Sequence, residues 1–120
     1  MTFITLGAVE TRFAEIIWEN EPLPSGGLVA LCADRLGWKK STTYTVLKKL
    51  CGKGLFKNDN GVVSSLISKE EYFSMQSERF IDDTFKGSLP AFIAAFAARK
   101  PLSQDEVRQI QKMINGYSQK

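Results

Sequence analysis

Apolar residues recur at helical spacing from the start of the chain. Leu6, Val9, Phe13, Ile16 and Ile17, with Trp18 closing the run, predict a first helix over residues 7–20. Glu21-Pro22-Leu23-Pro24 breaks it, because two prolines cannot continue a helix. Ser25 is placed to cap a second helix, with Leu28, Leu31, Cys32 and Leu36 on one face. Gly37 ends that helix and Trp38 begins a short turn. A third helix is predicted from about Ser41 to Lys53, with Gly54 as its left-handed stop. Its inward face is Thr43, Val46, Leu47 and Leu50, at i, i+3, i+4 and i+7. Ser41, Tyr44, Thr45 and Lys48 follow the same spacing on another face, with Thr42 near its N-terminal end.

The pattern then changes period. Leu55-Phe56-Lys57 and Val62-Val63-Ser64-Ser65-Leu66 are β-prone runs separated by Asn58-Asp59-Asn60-Gly61. Asn-Gly is a strong hairpin signal, since both residues tolerate a positive φ. Three helices followed by a hairpin is a winged helix, a variant of helix-turn-helix. Ser68-Lys69-Glu70-Glu71 reads as a capping box opening a fourth helix that ends near Lys86 and Gly87. Ser88 starts a fifth helix, with Pro90 in its first turn, and Ser103-Gln104-Asp105-Glu106 is a second capping box before a last helix. The expected fold is mainly α with a small β hairpin. Residues 1–67 form an N-terminal winged helix-turn-helix, and residues 68–120 form a C-terminal three-helix arm.

Charge adds a local signal that the net +3 hides. Between residues 35 and 57 the bases are Arg35, Lys39, Lys40, Lys48, Lys49, Lys53 and Lys57, with no acid. Residues 1–34 hold one base, Arg12, against Glu10, Glu15, Glu19, Glu21 and Asp34. A basic stretch of this kind, interleaved with hydroxyls and an aromatic ring, points to a polyanion-binding surface, whereas a solvated helix face is the plainer reading. Ser41, Thr42, Tyr44 and Thr45 are the candidates for hydrogen bonds to DNA base edges. Lys39, Lys40, Lys48, Lys49 and Lys57 are the candidates for phosphate contacts. Thr42 has an equal case as a helix cap.

Other chemistry finds no footing. Histidine is absent, which excludes a histidine base and a histidine-ligated metal. Gly26-Gly27 follows no strand, so it is not a phosphate-cradling loop, and no carboxylate pair is specifically placed. No enzyme, cofactor or metal is expected. The longest apolar run, Leu89–Ala98, contains Pro90 and is too short to span a membrane. No signal peptide is read in the N-terminal segment, and Cys32 and Cys51 are expected as buried reduced thiols. A cytoplasmic protein without membrane insertion follows.

The C-terminal half poses a burial problem. Phe73, Phe80, Ile81 and Phe85, then Leu89, Phe92, Ile93 and Phe96, then Val107, Ile110 and Ile114, form apolar stripes on three short helices. Three helices in an arm cannot hide all of that surface. A second copy of the chain can, which gives a two-fold homodimer. The alternative is that these helices fold back on residues 1–67.

The order and spacing of several segments resemble the BlaI/MecI penicillinase-repressor family of bacterial transcription regulators over essentially the whole chain. They are the opening that ends Ile16-Ile17-Trp18, the run Leu36 to Leu50 followed by Lys53-Gly54-Leu55, the junction Ile67-Ser68-Lys69-Glu70-Glu71-Tyr72, and Leu102-Ser103-Gln104-Asp105-Glu106. The resemblance implies a dimeric winged-helix repressor that binds a palindromic double-stranded DNA operator. It also implies a membrane sensor-protease pathway that ends repression by a cut in the dimerisation domain, at the bond aligned with Ala95-Phe96. Phe96 is kept there, and the family's asparagine is Ala95. The wing of this chain is short, with Lys57 as its only base. The cysteine cluster of the family's copper-sensing branch is absent. A winged helix serving as a protein–protein adaptor is the rival reading.

Overall fold

The structure, a computed structural model, describes residues 4–117. Its elements run α1 (Ala8–Asn20), β1 (Leu23–Pro24), α2 (Ser25–Leu36), α3 (Lys40–Gly52), β2 (Phe56–Asp59), β3 (Val62–Ser65), α4 (Lys69–Phe85), α5 (Leu89–Arg99) and α6 (Gln104–Tyr117). They divide into two compact units, the first ending at Arg79 and the second beginning at Phe80.

In the first unit, α1 turns Phe13, Ala14, Ile16 and Ile17 inward, α2 adds Leu28 and Cys32, and α3 adds Thr43, Leu47 and Leu50. Leu23, Leu55, Phe56 and Val63 complete this core from the sheet side. Each large side chain fully removed from water contributes about 1.5–3 kcal/mol. Buried Thr43 satisfies its hydroxyl by donating to the Lys39 carbonyl, 3.2 Å away. Gly37 closes α2 in the left-handed region at φ +68. Trp38, in the turn that follows, stacks on Phe13 with ring centroids 5.5 Å apart. That contact ties the turn between α2 and α3 to α1.

The hairpin is as the Asn-Gly signal predicts. Asn60 (φ 50) and Gly61 (φ 84) are both left-handed, and β2 pairs antiparallel with β3 in the register Phe56↔Ser65 and Asp59↔Val62. A third strand was not expected. Leu23 and Pro24 pair with Val63 and Val62, so the sheet order is β1-β3-β2. Pro24 sits at a sheet edge, where a missing N–H does no harm. The fold is a winged helix-turn-helix.

Several expectations need correction. Ser25 is the first residue of α2, not its cap; Pro24 holds the capping position. Val9 is exposed and Val46 only half-buried. Cys32 is buried, but Cys51 is half-buried; both are free thiols.

The compact units also divide later than residue 67. Tyr72, in the first turn of α4, is buried in the N-terminal core. Gln76 donates to the Ile4 carbonyl at 2.6 Å, and Arg79 to the Thr5 hydroxyl at 2.5 Å. These bonds tie the first three turns of α4 into the first unit. Phe73, expected in the dimerisation stripe, is exposed and lies beside Trp18 and Tyr72, with centroids 6.4 and 5.3 Å away. The Trp18 indole donates to the Ile67 carbonyl at 3.1 Å, just ahead of α4.

The second unit is held differently. Phe80, Phe85 and Phe92 meet edge to face with centroids 5.6–5.9 Å apart, and Phe92 touches Phe96 at 6.1 Å. Yet no described residue of this unit is buried. Its helices start on well-formed caps. The Ser88 hydroxyl accepts from the Ala91 N–H at 3.1 Å. Ser103 and Glu106 exchange reciprocal bonds at 3.0 and 3.1 Å, the capping box expected from sequence. The Ser68 and Glu71 box at the head of α4 forms in the same way.

Candidate nucleic-acid interface

The basic stretch divides into residues already engaged and residues that face water. Arg35 pairs with Glu19 at 3.2 Å, and the Lys53 ammonium donates to the Thr5 carbonyl at 3.1 Å. Lys49, a sequence candidate for phosphate contact, is held by Glu10 at 2.9 Å. That ion pair, with the N–H of Gly7 as the second donor, holds the Glu10 carboxyl below the usual carboxylate range. Lys49 therefore ties α3 to α1. Lys39, Lys40, Lys48 and Lys57 remain exposed and have no ion-pair partner among the described residues.

The outer face of α3 is a stripe of hydroxyls and lysines. Ser41, Thr42, Thr45 and Lys48 are exposed, with Lys40 at the helix start. The Thr45 hydroxyl donates to the Ser41 carbonyl at 2.8 Å, which leaves the oxygen of this exposed residue able to accept. Thr42 is not the cap, since the capping position is Lys39. The first N–H groups of α3 lie beneath Lys39 and Lys40, with no acid in the first turn. Free helix N–H groups beside two ammonium groups favour an anion.

Tyr44 departs from the expectation. It is half-buried against the core, and its hydroxyl donates to the Ser25 hydroxyl at 3.0 Å. That bond commits the proton of the Tyr44 hydroxyl to α2. The periodicity places Tyr44 on the outer stripe correctly, but it cannot show that the start of α2 stands against that position. Tyr44, Leu47, Lys48, Cys51 and Asn58 line a groove between α3 and β2. Burial pushes the Cys51 thiol above its ordinary range, which favours the protonated form.

The wing is anchored at both ends. Glu21 accepts from the Ser65 N–H at 2.8 Å and from the Ser65 hydroxyl at 2.7 Å. At the tip, the Asn58 side chain accepts from Gly61 N–H at 3.0 Å, and the Gly61 carbonyl accepts from Ser25 N–H at 2.8 Å. Lys57 is exposed on β2, opposite Ser64. The site thus consists of a rigidly mounted helix with a hydroxyl-and-lysine face and a short braced hairpin beside it. Sequence reasoning took Ser25 only as a helix cap and missed its bond to Tyr44, because a lone serine after Pro-Leu-Pro carries no signal of a partner on α3.

Of the residues expected to dimerise, Phe80, Leu89, Phe96, Val107 and Ile114 are exposed. Ile81, Phe85, Phe92, Ile93 and Ile110 are half-buried in the second unit. Ala95 and Phe96 both lie exposed inside α5. No helix among the described residues is long and apolar enough to cross a membrane.

The family model described as penicillinase repressor matches residues 6–116. The methicillin resistance regulatory protein MecI of Staphylococcus aureus (strain Mu50 / ATCC 700699) is 25% identical over 114 residues, covering 92% of this chain and 93% of that protein. The proteins of the same name from Mammaliicoccus sciuri and Staphylococcus epidermidis are 24% identical over the same shares. The match spans both compact units, and the chain belongs to the penicillinase repressor family of transcriptional repressors.

Proposed function

We propose that the protein is a homodimeric repressor that places α3 of each protomer in the major groove of a palindromic DNA operator. The observation that carries this reading is the exposed face of α3. Ser41, Thr42 and Thr45 lie between Lys40 and Lys48, and none of these lysines has an ion-pair partner among the described residues. Lysines left unpaired beside hydroxyls suit phosphates at the rim and base edges at the centre. Lys39 and Lys57 would add backbone contacts. An adaptor that binds another protein gives no reason to keep this face free of acids.

Dimerisation belongs to the second unit, where Phe92, Phe96 and Ile114 await cover from a second copy. Two recognition helices on a two-fold axis meet half-sites about one helical turn apart. Release by a sensor-linked protease at Ala95-Phe96 belongs to the same reading. The bond lies inside α5, so the helix must open locally before it can be cut.

A salt titration on a short duplex tests the function. Roughly 4–8 phosphate contacts per dimer give a slope of log K against log salt of about −4 to −7. Lys48→Glu should weaken specific and random DNA together. A slope near zero would rule out DNA as the partner.

A further inference from the structure

We infer that Tyr44 is not a base-reading residue but a positioning residue, which sets the wing against the recognition helix through Ser25. The inference rests on the DNA-binding reading above and deepens it. Ser25 joins three elements. Its side-chain oxygen accepts from the Tyr44 hydroxyl of α3 at 3.0 Å, and its N–H donates to the Gly61 carbonyl at the wing tip at 2.8 Å. It is itself the first residue of α2. The wing tip arrives at this point with little freedom. Asn60 and Gly61 form a two-residue left-handed turn, Asn58 holds Gly61 N–H, and β1 pins Val62 and Val63 from the other side. Ser25 lies inside α2, and Pro24 holds the capping position; the side-chain bond of Ser25 is the one with Tyr44. Its acceptor role toward Tyr44 is therefore the one that the structure gives it.

The chemistry separates the two roles. A phenol that reads a base must present its hydroxyl to the groove, whereas this one is directed at a neighbouring element of its own chain. The ring is half-buried and packs on the core, so turning the hydroxyl outward would also undo that packing. Wing and helix must dock on DNA in one fixed relation if base edges and backbone are to be met together. A bond that holds this relation raises specific affinity and leaves random binding, which tolerates many dockings, nearly unchanged.

The experiment is a double-mutant cycle on the full-length protein with Tyr44→Phe, Ser25→Ala and the pair. Each single change removes one side of the same bond and keeps the ring. Each should lower operator affinity about 3- to 10-fold, the worth of one hydrogen bond. The double variant should lose no more than either single one, random-DNA affinity should hold, and Ser25→Thr should restore the parent value. The inference is overturned if Tyr44→Phe loses affinity while Ser25→Ala does not, if the two losses multiply, or if neither variant changes. A measurement without DNA keeps it distinct from the function. Amide hydrogen exchange at Ser25, whose N–H is held by the wing tip, should quicken in Tyr44→Phe. Unchanged exchange refutes the latch even if the protein proves to bind DNA, and faster exchange supports it even if no operator is found.

Discussion

The two compact units of this chain are both helical, yet they are stabilised by different means. The N-terminal unit encloses Phe13, Leu28, Leu50, Phe56 and Val63 with essentially no exposure. Among the described residues, the C-terminal unit encloses nothing completely. Phe96 is 42% exposed, and Met113 and Tyr117 of α6 are 60% and 70% exposed. The first is a finished core with polar groups mounted on it. The second is a set of well-capped helices around a half-covered aromatic cluster. A folded element and a finished core are thus separable properties. Caps and helical periodicity supply the first, and only enclosure supplies the second.

The largest expected effect comes from Phe13→Ala. A cavity at the junction of α1 and Trp38 should cost about 3–5 kcal/mol, a large share of the roughly 5–15 kcal/mol that holds a domain of this kind together. Denaturant unfolding should show the N-terminal unit failing. The comparison breaks if Phe92→Ala costs the dilute, monomeric protein as much.

Phe92→Asp should act on association. Introducing a carboxylate into an apolar seam costs about 2–3 kcal/mol or more, and sedimentation should show monomers while the N-terminal unit still unfolds cooperatively. An intact dimer would move the seam elsewhere.

A smaller effect sharpens the contrast at matched positions. Ser68→Ala and Ser103→Ala each remove the same kind of cap, worth about 1 kcal/mol of helix stability. After the Ser68 cap, buried Tyr72 holds the first turn of α4; after the Ser103 cap, no side chain of α6 is buried. Ser103→Ala should therefore accelerate amide exchange at Val107 more than Ser68→Ala does at Tyr72. Equal acceleration would show that the core lends α4 nothing.

The smallest effect is electrostatic. The Glu10 carboxyl titrates below its ordinary 4.5 in the folded chain, chiefly through Lys49. A lowered folded value means stability that is fully present above the unfolded value and is lost as pH falls through the folded one. Glu10→Gln should thus cost a little stability at neutral pH and nothing well below pH 4. A parent–variant gap that persists in acid would place the Glu10 contribution in packing instead of charge.

The elements that could be read from the residues were those with local causes. The serine–glutamate boxes, the Asn60-Gly61 turn, Gly37 and Gly54 all act within a few residues, and all stand where the sequence puts them. What escaped depends on neighbours distant in sequence. β1 is two residues long and exists because β3 passes beside it. Lys49 reads as a free cation until α1 brings Glu10 to it. Tyr44 falls on the right face, but only the fold shows that the start of α2 occupies the space in front of its hydroxyl. Phe73 follows the periodicity of its helix and still belongs with Trp18, because α4 begins in one unit and ends in the other.

The chain's two tryptophans both lie in the N-terminal unit: Trp18 beside Tyr72 with its indole on the Ile67 carbonyl, and Trp38 stacked on Phe13. The C-terminal unit has phenylalanines and Tyr117 but no indole. Emission excited at the red edge of indole absorption therefore reports on one unit alone. Melting, DNA docking or loosening of the winged helix will shift that signal. Events confined to residues beyond Arg79 leave that emission unchanged. One untagged sample, read by tryptophan emission and by light scattering together, separates the events of the two units without a single substitution.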